Sequence, residues 1–204
     1  FKIIFIFCLA SSFIYIINDI IDIDADAAHP KKKLRPLPLG IISKQSAWYA
    51  SVLIFVMLAL LLLLVNRDFI FYLISFILLN VLYSLYFKHI VILDVFSIAA
   101  GFTIRVLGGA AVIAVPVSSW LILTTMFISL FLGVMKRHSE LKQMSDDQLG
   151  STRKVLAEYS LTFTNQIATV AAAGVIICYA LYTVSPRTVS IFGSENLIYT
   201  TPFV

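Results

Sequence analysis

The sequence has 204 residues, of which 60% are hydrophobic and only 13% are charged, and its mean hydropathy is +0.98. Soluble domains are about 45–50% apolar and about 25% charged, so this composition excludes a soluble globular protein and predicts an integral membrane protein. The formal net charge of +4 is carried largely by the segments between the apolar runs.

Apolar runs of membrane-spanning length, roughly 20 residues each, recur along the chain. They predict six transmembrane helices, at residues 1–18, 45–65, 69–87, 91–113, 118–135 and 161–183. A seventh span is predicted to begin near Leu197. We therefore expect an all-α, polytopic transmembrane bundle, a single domain over 1–204 that is incomplete at both ends.

Basic residues are distributed unevenly between the two sets of loops. Eleven Lys and Arg side chains lie in the segments 19–44, 88–90 and 136–160, whereas the opposite side carries three. Cytoplasmic loops carry the excess of Lys and Arg, so these three segments are predicted to face the cytoplasm. The charge is explained by topology, and no nucleic-acid partner is expected.

The first basic segment opens with an unusual cluster of carboxylates. If residues 18–26 are helical, Asn18, Asp19, Asp22 and Asp26 share an arc of about 100°, and Asp24 lies opposite. Three aspartates on one face repel one another unless a cation lies between them. Hard oxygen ligands suit Mg²⁺, which binds a few carboxylates together with substrate phosphates. The alternative is a solvated helix end with interfacial charges.

Cationic side chains follow this cluster directly. Pro30 is predicted to end the helix and to fold the basic segment back over the carboxylates. Lys32 and Arg35 are then candidates for contacting a phosphate-rich substrate, since guanidinium groups bind phosphate oxygens bidentately. The alternative is a topology signal that contacts anionic lipids, and this alternative is preferred for Lys31 and Lys33.

The segment "NDIIDIDAD" fits the N-D-x-x-D-x-x-x-D pattern, and "RPLPLG" follows it at Arg35–Gly40. Both resemble the UbiA superfamily of intramembrane prenyltransferases, which are all-helical membrane enzymes with two Asp-rich regions and Mg²⁺. The resemblance implies that Asp19, Asp22 and Asp26 bind the metal and are catalytic, with Asn18 orienting the leaving diphosphate.

The second Asp-rich region of that superfamily is expected between residues 136 and 160, but its D-x-x-x-D form is missing there. The segment reads "GVMKRHSELKQM", and the adjacent pair Asp146 and Asp147 does not share a helix face. This departure disfavours ordinary transfer of a prenyl group to an aromatic acceptor.

One branch of the superfamily resembles the chain over most of its length. The decaprenyl-phosphate phosphoribosyltransferases are similar at "NDIIDIDADAAHPKKKLRPLPLG", "YSLYFKHIVILDVFSIAAGFTIRVLGG", "GVMKRHSEL" and "RKVLAEYS". The resemblance implies transfer of 5-phosphoribose from phosphoribosyl diphosphate to a polyprenyl phosphate, with release of diphosphate, for the synthesis of cell-envelope glycan precursors.

This chemistry requires cations near two phosphorylated substrates. Lys136 and Arg137 are candidates for binding the lipid phosphate or the ribose 5-phosphate, and Glu140 is spaced to orient them or a ribose hydroxyl. The alternative is a basic pair at a helix end with a surface salt bridge. The resemblance also implies diphosphate contacts from Tyr83 and Lys88, although an aromatic belt residue and a snorkelling lysine are common at interfaces.

Arg105 lies within the span at residues 91–113, about 20 Å along it. An unpaired guanidinium is costly in the bilayer, so Arg105 is expected to face the bundle interior, either as a substrate contact or in an ion pair. Asp94 lies on nearly the same helix face and is expected to join the polar cavity.

Two other functions are compatible with parts of the pattern. One is a UbiA-type prenyltransferase that moves a prenyl group from a prenyl diphosphate to an aromatic or lipid acceptor. The other is a transporter, which would distribute polar residues through several spans, whereas here they concentrate at one edge. The sequence leaves a homo-oligomer open.

Overall fold

The computed structural model describes residues 2–28, 32–143 and 158–203. Pro30, Lys31, Asp146 and Asp147, about which the sequence made predictions, lie outside these ranges. The described residues form helices and connecting turns without a strand, which confirms the all-α prediction.

Eight α-helices follow one another in the described residues: α1 (Lys2–Ile21), α2 (Ile23–Ala28), α3 (Lys44–Leu62), α4 (Arg67–Leu85), α5 (Leu93–Val112), α6 (Ser119–Gln143), α7 (Leu161–Thr183) and α8 (Pro186–Phe192). Short 3₁₀ helices occupy Lys32–Leu34, Phe87–His89 and Asn196–Phe203.

Six of the described helices are long and apolar enough to cross a membrane, namely α1, α3, α4 with the following 3₁₀ turn, α5, α6 and α7. These six match the predicted spans. The segment from Asn196 forms a 3₁₀ helix against α7, where the Thr200 hydroxyl lies 2.8 Å from the Tyr179 hydroxyl. A seventh span from Leu197 stays a prediction.

The six long helices pack in the order α3, α1, α4, α5, α6, α7. Each half of this series has its own apolar core. The first core joins α1, α3 and α4 through Ile6, Ala10, Leu58, Phe69 and Leu73. The second joins α5, α6 and α7, with the segment before α7, through Val95, Ala99, Leu130, Val134, Tyr159, Ala168 and Ala171.

Small residues allow the central helices to approach closely. A Cβ at Gly133 in α6 would lie 2.8 Å from the Cγ1 of Val95 in α5, and one at Gly108 in α5 would lie 3.1 Å from the Cβ of Tyr72 in α4. Glycine at such positions is typical of transmembrane helix contacts. The close contacts of α5 with both neighbours fix the walls of the central cavity described below.

Helix α6 extends further than the sequence analysis predicted. The predicted span ends at residue 135, whereas α6 continues to Gln143, so Lys136, Arg137 and Glu140 lie on its last turns rather than in a loop. Lys, Arg, Glu, Leu and Gln are all good helix formers, so the helix persists after the apolar run has ended.

Candidate functional site

The carboxylate cluster, defined as Asp19, Asp22 and Asp26, lies at the end of α1 and in α2. Asp22 interrupts the regular helix, but its N–H still donates to the Asn18 carbonyl at 2.9 Å, and the Asp26 N–H donates to the Asp22 carbonyl at 2.7 Å. The helical pattern is thereby kept across the bend. Asp26 is only 3% exposed, whereas Asp24 is exposed on the other side.

Arg35 connects two members of this cluster. Its Nη1 lies 2.8 Å from the Oδ1 of Asp19 and 2.7 Å from the Oδ2 of Asp26. Lys32, in the 3₁₀ turn just before it, has its Nζ 3.6 Å from the Oδ1 of Asp26. The basic segment therefore returns to the carboxylates, and both predicted cations reach them. Lys33 is exposed.

Lys88 provides the cation for the third carboxylate. It lies in the 3₁₀ turn after α4, is 4% exposed, and contacts the Oδ1 of Asp22 through its ammonium group. One helical turn earlier, the Ser84 hydroxyl donates to the Oδ1 of Asn18 at 2.9 Å. A buried lysine is tolerated when it is paired, so this ion pair fixes the end of α4 against the end of α1.

A cavity of about 380 Å³ opens between α1, α4, α5 and α6. Three of the predicted site residues line it, namely Tyr83, Arg105 and Lys136. Four further polar residues, which were not predicted from the sequence, also line this cavity, namely Tyr15, Asn80, Ser97 and Ser129. Asn80, Ser97 and Ser129 are polar groups inside predicted spans, which is the signal that marks them, although Ser75 and Thr103 share this signal and do not line the cavity.

Arg105 faces the bundle interior, as expected. Its guanidinium carbon lies 4.6 Å from the ring centroid of Phe76 and 5.4 Å from that of Phe102, and its Nη2 lies 3.4 Å from the Ser11 hydroxyl. The interaction with the Phe76 face partly compensates a cation at this depth. Its buried Nε has no hydrogen-bond partner in the described structure. Arg105 also lines a second, largely apolar cavity of about 540 Å³ along α1.

A second polar group, here called the Asp94 network, consists of Asp94, Tyr159, Arg137 and Glu140. Asp94 is fully buried; its Oδ1 accepts a hydrogen bond from the Tyr159 hydroxyl, and its Oδ2 lies 3.4 Å from the Nε of Arg137. The Nη1 of Arg137 donates to Glu140. Asp94 was expected to join the polar cavity, but it does not line the central cavity. Arg137, which is 1% exposed, does not line it either, so the structure separates Arg137 from its neighbour Lys136.

The donor set of the carboxylate cluster suits a hard cation. Carboxylate and amide oxygens are the ligands that Mg²⁺ prefers, and one guanidinium nitrogen already contacts both Asp19 and Asp26. Within the described ranges, no three His, Cys, Asp or Glu side chains are arranged as a ready metal site. The chemistry of these residues fits Mg²⁺, although in this structure the Arg35 guanidinium lies between two of the carboxylates that would hold it.

Comparison with known proteins identifies the family. The sequence model of the UbiA prenyltransferase family matches residues 1–202. The chain belongs to this family. A UbiA homolog from Archaeoglobus fulgidus, solved with GPP and Mg²⁺, has the same fold, with a TM-score of 0.81 at 18% identity over 99% of this chain and 72% of that one.

Curated UbiA-family relatives carry a more specific name. A decaprenyl-phosphate phosphoribosyltransferase from Mycolicibacterium smegmatis is 32% identical over 180 residues, which are 88% of this chain and 56% of the relative. Proteins of the same name from Corynebacterium glutamicum and Mycobacterium tuberculosis are 31% and 27% identical, over 87% of this chain in each case and 54% and 58% of their own lengths. The chain thus spans a little over half the length of these relatives.

The buried pair of Arg137 and Asp94 leads to a prediction about stability. In the Arg137→Met variant, Asp94 would remain buried without a cation, so we expect the free energy of unfolding to fall by about 3 kcal/mol. Thermal unfolding in detergent would measure this loss. Lys142→Met, an exposed position on the same helix, is the matched control, and equal melting temperatures for the two variants would contradict the prediction.

Proposed function

We propose that the protein transfers 5-phosphoribose from phosphoribosyl diphosphate to a polyprenyl phosphate and releases diphosphate, with Mg²⁺ as cofactor. The observation that carries the proposal is the side-by-side placement of three aspartates and their cations: Arg35 contacts Asp19 and Asp26, and buried Lys88 contacts Asp22. The relatives named decaprenyl-phosphate phosphoribosyltransferase, at 27–32% identity, support the choice of substrates.

The donor's diphosphate is assigned to the carboxylate cluster. Asp19, Asp22 and Asp26 would hold Mg²⁺, which when bound neutralises charge on the leaving diphosphate. Arg35, Lys32 and Lys88 already lie against these carboxylates, so each is within reach of phosphate oxygens that approach the same face. Asn18, fixed by Ser84, orients the group from the neighbouring position on α1.

The acceptor needs a cationic environment rather than a base. In the proposed reaction, the bond from the anomeric carbon to the diphosphate breaks, and a bond to an oxygen of the lipid phosphate forms. The anomeric carbon gains oxocarbenium character as the diphosphate leaves. Because the lipid phosphate is already an anion, no proton has to be removed from it.

The central cavity offers cations and neutral polar groups for these substrates. Lys136 and Arg105 line it, together with Tyr83, Asn80 and two serines, Ser97 and Ser129. Hydroxyl and amide groups suit a ribose, and the cations offset repulsion between two phosphorylated substrates. Arg137 contributes indirectly, because its side chain is occupied by Asp94 and Glu140.

The membrane orientation is part of the proposal. The carboxylate cluster, Lys88 and Lys136 all lie at one end of the bundle, and the excess of Lys and Arg in the segments that follow α1, α4 and α6 in the sequence supports a cytoplasmic location for this end. A bacterial plasma membrane with a cytoplasm-facing site would supply phosphoribosyl diphosphate from the cytosol and the lipid acceptor from the bilayer.

A transfer assay tests the proposed reaction. The full-length protein in detergent receives Mg²⁺, polyprenyl phosphate and phosphoribosyl diphosphate labelled in the ribose. We expect label in the lipid extract, and we expect it to disappear with a chelator and in the Asp22→Asn variant. Turnover of a prenyl diphosphate with an aromatic acceptor, without labelled lipid, would instead support ordinary prenyl transfer. Substrate flux in proteoliposomes without any product would support a transporter.

A further inference from the structure

Tyr159 has no role in the reaction proposed above, yet its hydroxyl joins two parts of the site. It donates a hydrogen bond to the Oδ1 of Asp94 and accepts one at 2.8 Å from the backbone N–H of Ile92. Its ring packs in the core shared by α5, α6 and α7. The Tyr159 side chain, from the segment before α7, therefore contacts two groups at the start of α5: the backbone N–H of Ile92 and the carboxylate of Asp94.

The contact with Ile92 fixes an unusual backbone conformation. Ile92 has a φ of +72°, a region that β-branched residues rarely adopt. Such conformations persist where surrounding contacts determine them, and the Tyr159 hydroxyl is one such contact. The turn at Ile92 connects α5 to the 3₁₀ helix that contains Lys88, so its geometry determines where the Lys88 ammonium lies relative to Asp22.

The contact with Asp94 connects Tyr159 to α6, which forms another wall of the central cavity. The second carboxylate oxygen of Asp94 lies 3.4 Å from the Nε of Arg137, and Arg137 immediately follows Lys136 on α6. Because Arg137 is buried against α5, the last turns of α6 have a fixed rotation. That rotation directs the neighbouring Lys136 into the lining of the central cavity.

From these contacts we infer that Tyr159 is a positioning residue: through Ile92 and Asp94 its hydroxyl sets the places of Lys88 and Lys136, and thereby the affinity of the site for a diphosphate. The inference rests on the proposed function only in taking a diphosphate as a ligand. It does not depend on whether ribose or a prenyl chain is attached to that diphosphate.

The hydroxyl is suited to this role because it stays protonated. Burial, and then the hydrogen bond to Asp94, raise the pKa of Tyr159 above its usual range. A neutral phenol both donates to a carboxylate and accepts from a backbone N–H, which are the two contacts observed. Phenylalanine at this position would keep the ring in the core and lose both contacts.

The Tyr159→Phe variant tests the inference, with inorganic diphosphate and Mg²⁺ as the probe. Equilibrium binding is measured on the full-length protein in detergent. We expect the Kd for diphosphate to rise about tenfold, which is the lower end of the affinity losses seen when a residue that orients a ligating group is removed. The control is Tyr179→Phe, which removes another tyrosine hydroxyl contact, to Thr200, far from the site. Its Kd should equal that of the unchanged protein.

A second measurement separates positioning from stability. For phosphoribosyl diphosphate, Tyr159→Phe should raise KM by a similar factor and leave kcat within about twofold, because the loss affects binding. A lower melting temperature with unchanged diphosphate affinity in the folded protein would overturn the inference. The binding assay needs neither ribose nor lipid. Absence of phosphoribosyl transfer would therefore refute the proposed function, whereas the Tyr159 inference would still be decided by the diphosphate affinity.

Discussion

Replacing Asp26 with asparagine is expected to lower transfer by roughly 10²-fold or more, the range observed when one preorganised electrostatic group is removed from a reacting centre. Asp26 is buried, and its two carboxylate oxygens lie 2.7 Å from Arg35 and 3.6 Å from Lys32. Asparagine keeps the shape of the side chain and removes the charge. The site would then hold Mg²⁺ more weakly, and both cations would lose their shared partner.

Asp24 offers a matched control two residues away. It lies in the same short helix, α2, but its side chain is exposed on the opposite face. Asp24→Asn makes the same chemical change and should leave the initial rate within about twofold, as surface substitutions usually do. Equal rates for the Asp24→Asn and Asp26→Asn variants, measured as labelled lipid formed per minute, would show that the face defined by Asp19, Asp22 and Asp26 has no catalytic role.

The Lys88→Met variant is expected to lose activity to a similar extent and to be less stable. Methionine replaces the unbranched apolar stem of the buried side chain without its ammonium group, so Asp22 would lose its cation. Removing one partner of a fully buried charge pair costs about 3–5 kcal/mol, and the loss here should lie toward the lower end because the Asp22 side chain is 14% exposed. We expect a lower melting temperature and a weaker affinity for phosphoribosyl diphosphate, and the affinity loss should persist at temperatures where the variant is fully folded.

Lys33→Met is the control for this second change, because Lys33 belongs to the same basic end of the protein and is exposed. A Lys88→Met protein that binds phosphoribosyl diphosphate as tightly as the control would limit Lys88 to a structural ion pair with Asp22.

The membrane spans were predictable because lipid imposes a simple rule on sequence. A helix that crosses the bilayer needs about 20 apolar residues, and each of the six described spans satisfies this requirement.

The end of α6 was predicted less well. Apolarity stops at residue 135 because the membrane stops, whereas helix formation continues through residues with high helix propensity. Hydropathy marks the edge of the bilayer and does not mark the end of a helix.

The carboxylate cluster was predictable from spacing, because three aspartates within eight residues share a face only if the segment is helical. The partners of these aspartates were harder to predict. Arg35 was expected over the cluster, and the structure adds that a single nitrogen contacts both Asp19 and Asp26. The pairing of Asp22 with Lys88 joins residues 66 apart in the chain, and such contacts follow from helix packing that no local pattern contains.

Burial distinguishes charges that look equivalent in the sequence. Lys136 and Arg137 are adjacent and were both assigned to substrate, yet Lys136 lines the cavity and Arg137 is enclosed by Asp94 and Glu140. Adjacent residues on a helix face different directions, so at most one of them was positioned to face the cavity directly. Tyr159 lies in the segment "RKVLAEYS", which resembles the family branch, but no local pattern indicates its contacts with Ile92 and Asp94, because they depend on where α7 places the segment before it.

The position of a label in the donor tests the central claim most directly. Phosphoribosyl diphosphate is prepared with the label either in the 5-phosphate or in the β-phosphate of the diphosphate, and each form is incubated with the full-length protein, Mg²⁺ and polyprenyl phosphate. The account predicts that the 5-phosphate label enters the lipid extract and that an equal amount of β-phosphate label appears as inorganic diphosphate. Entry of the β-phosphate label into the lipid, or no release of diphosphate, would contradict it.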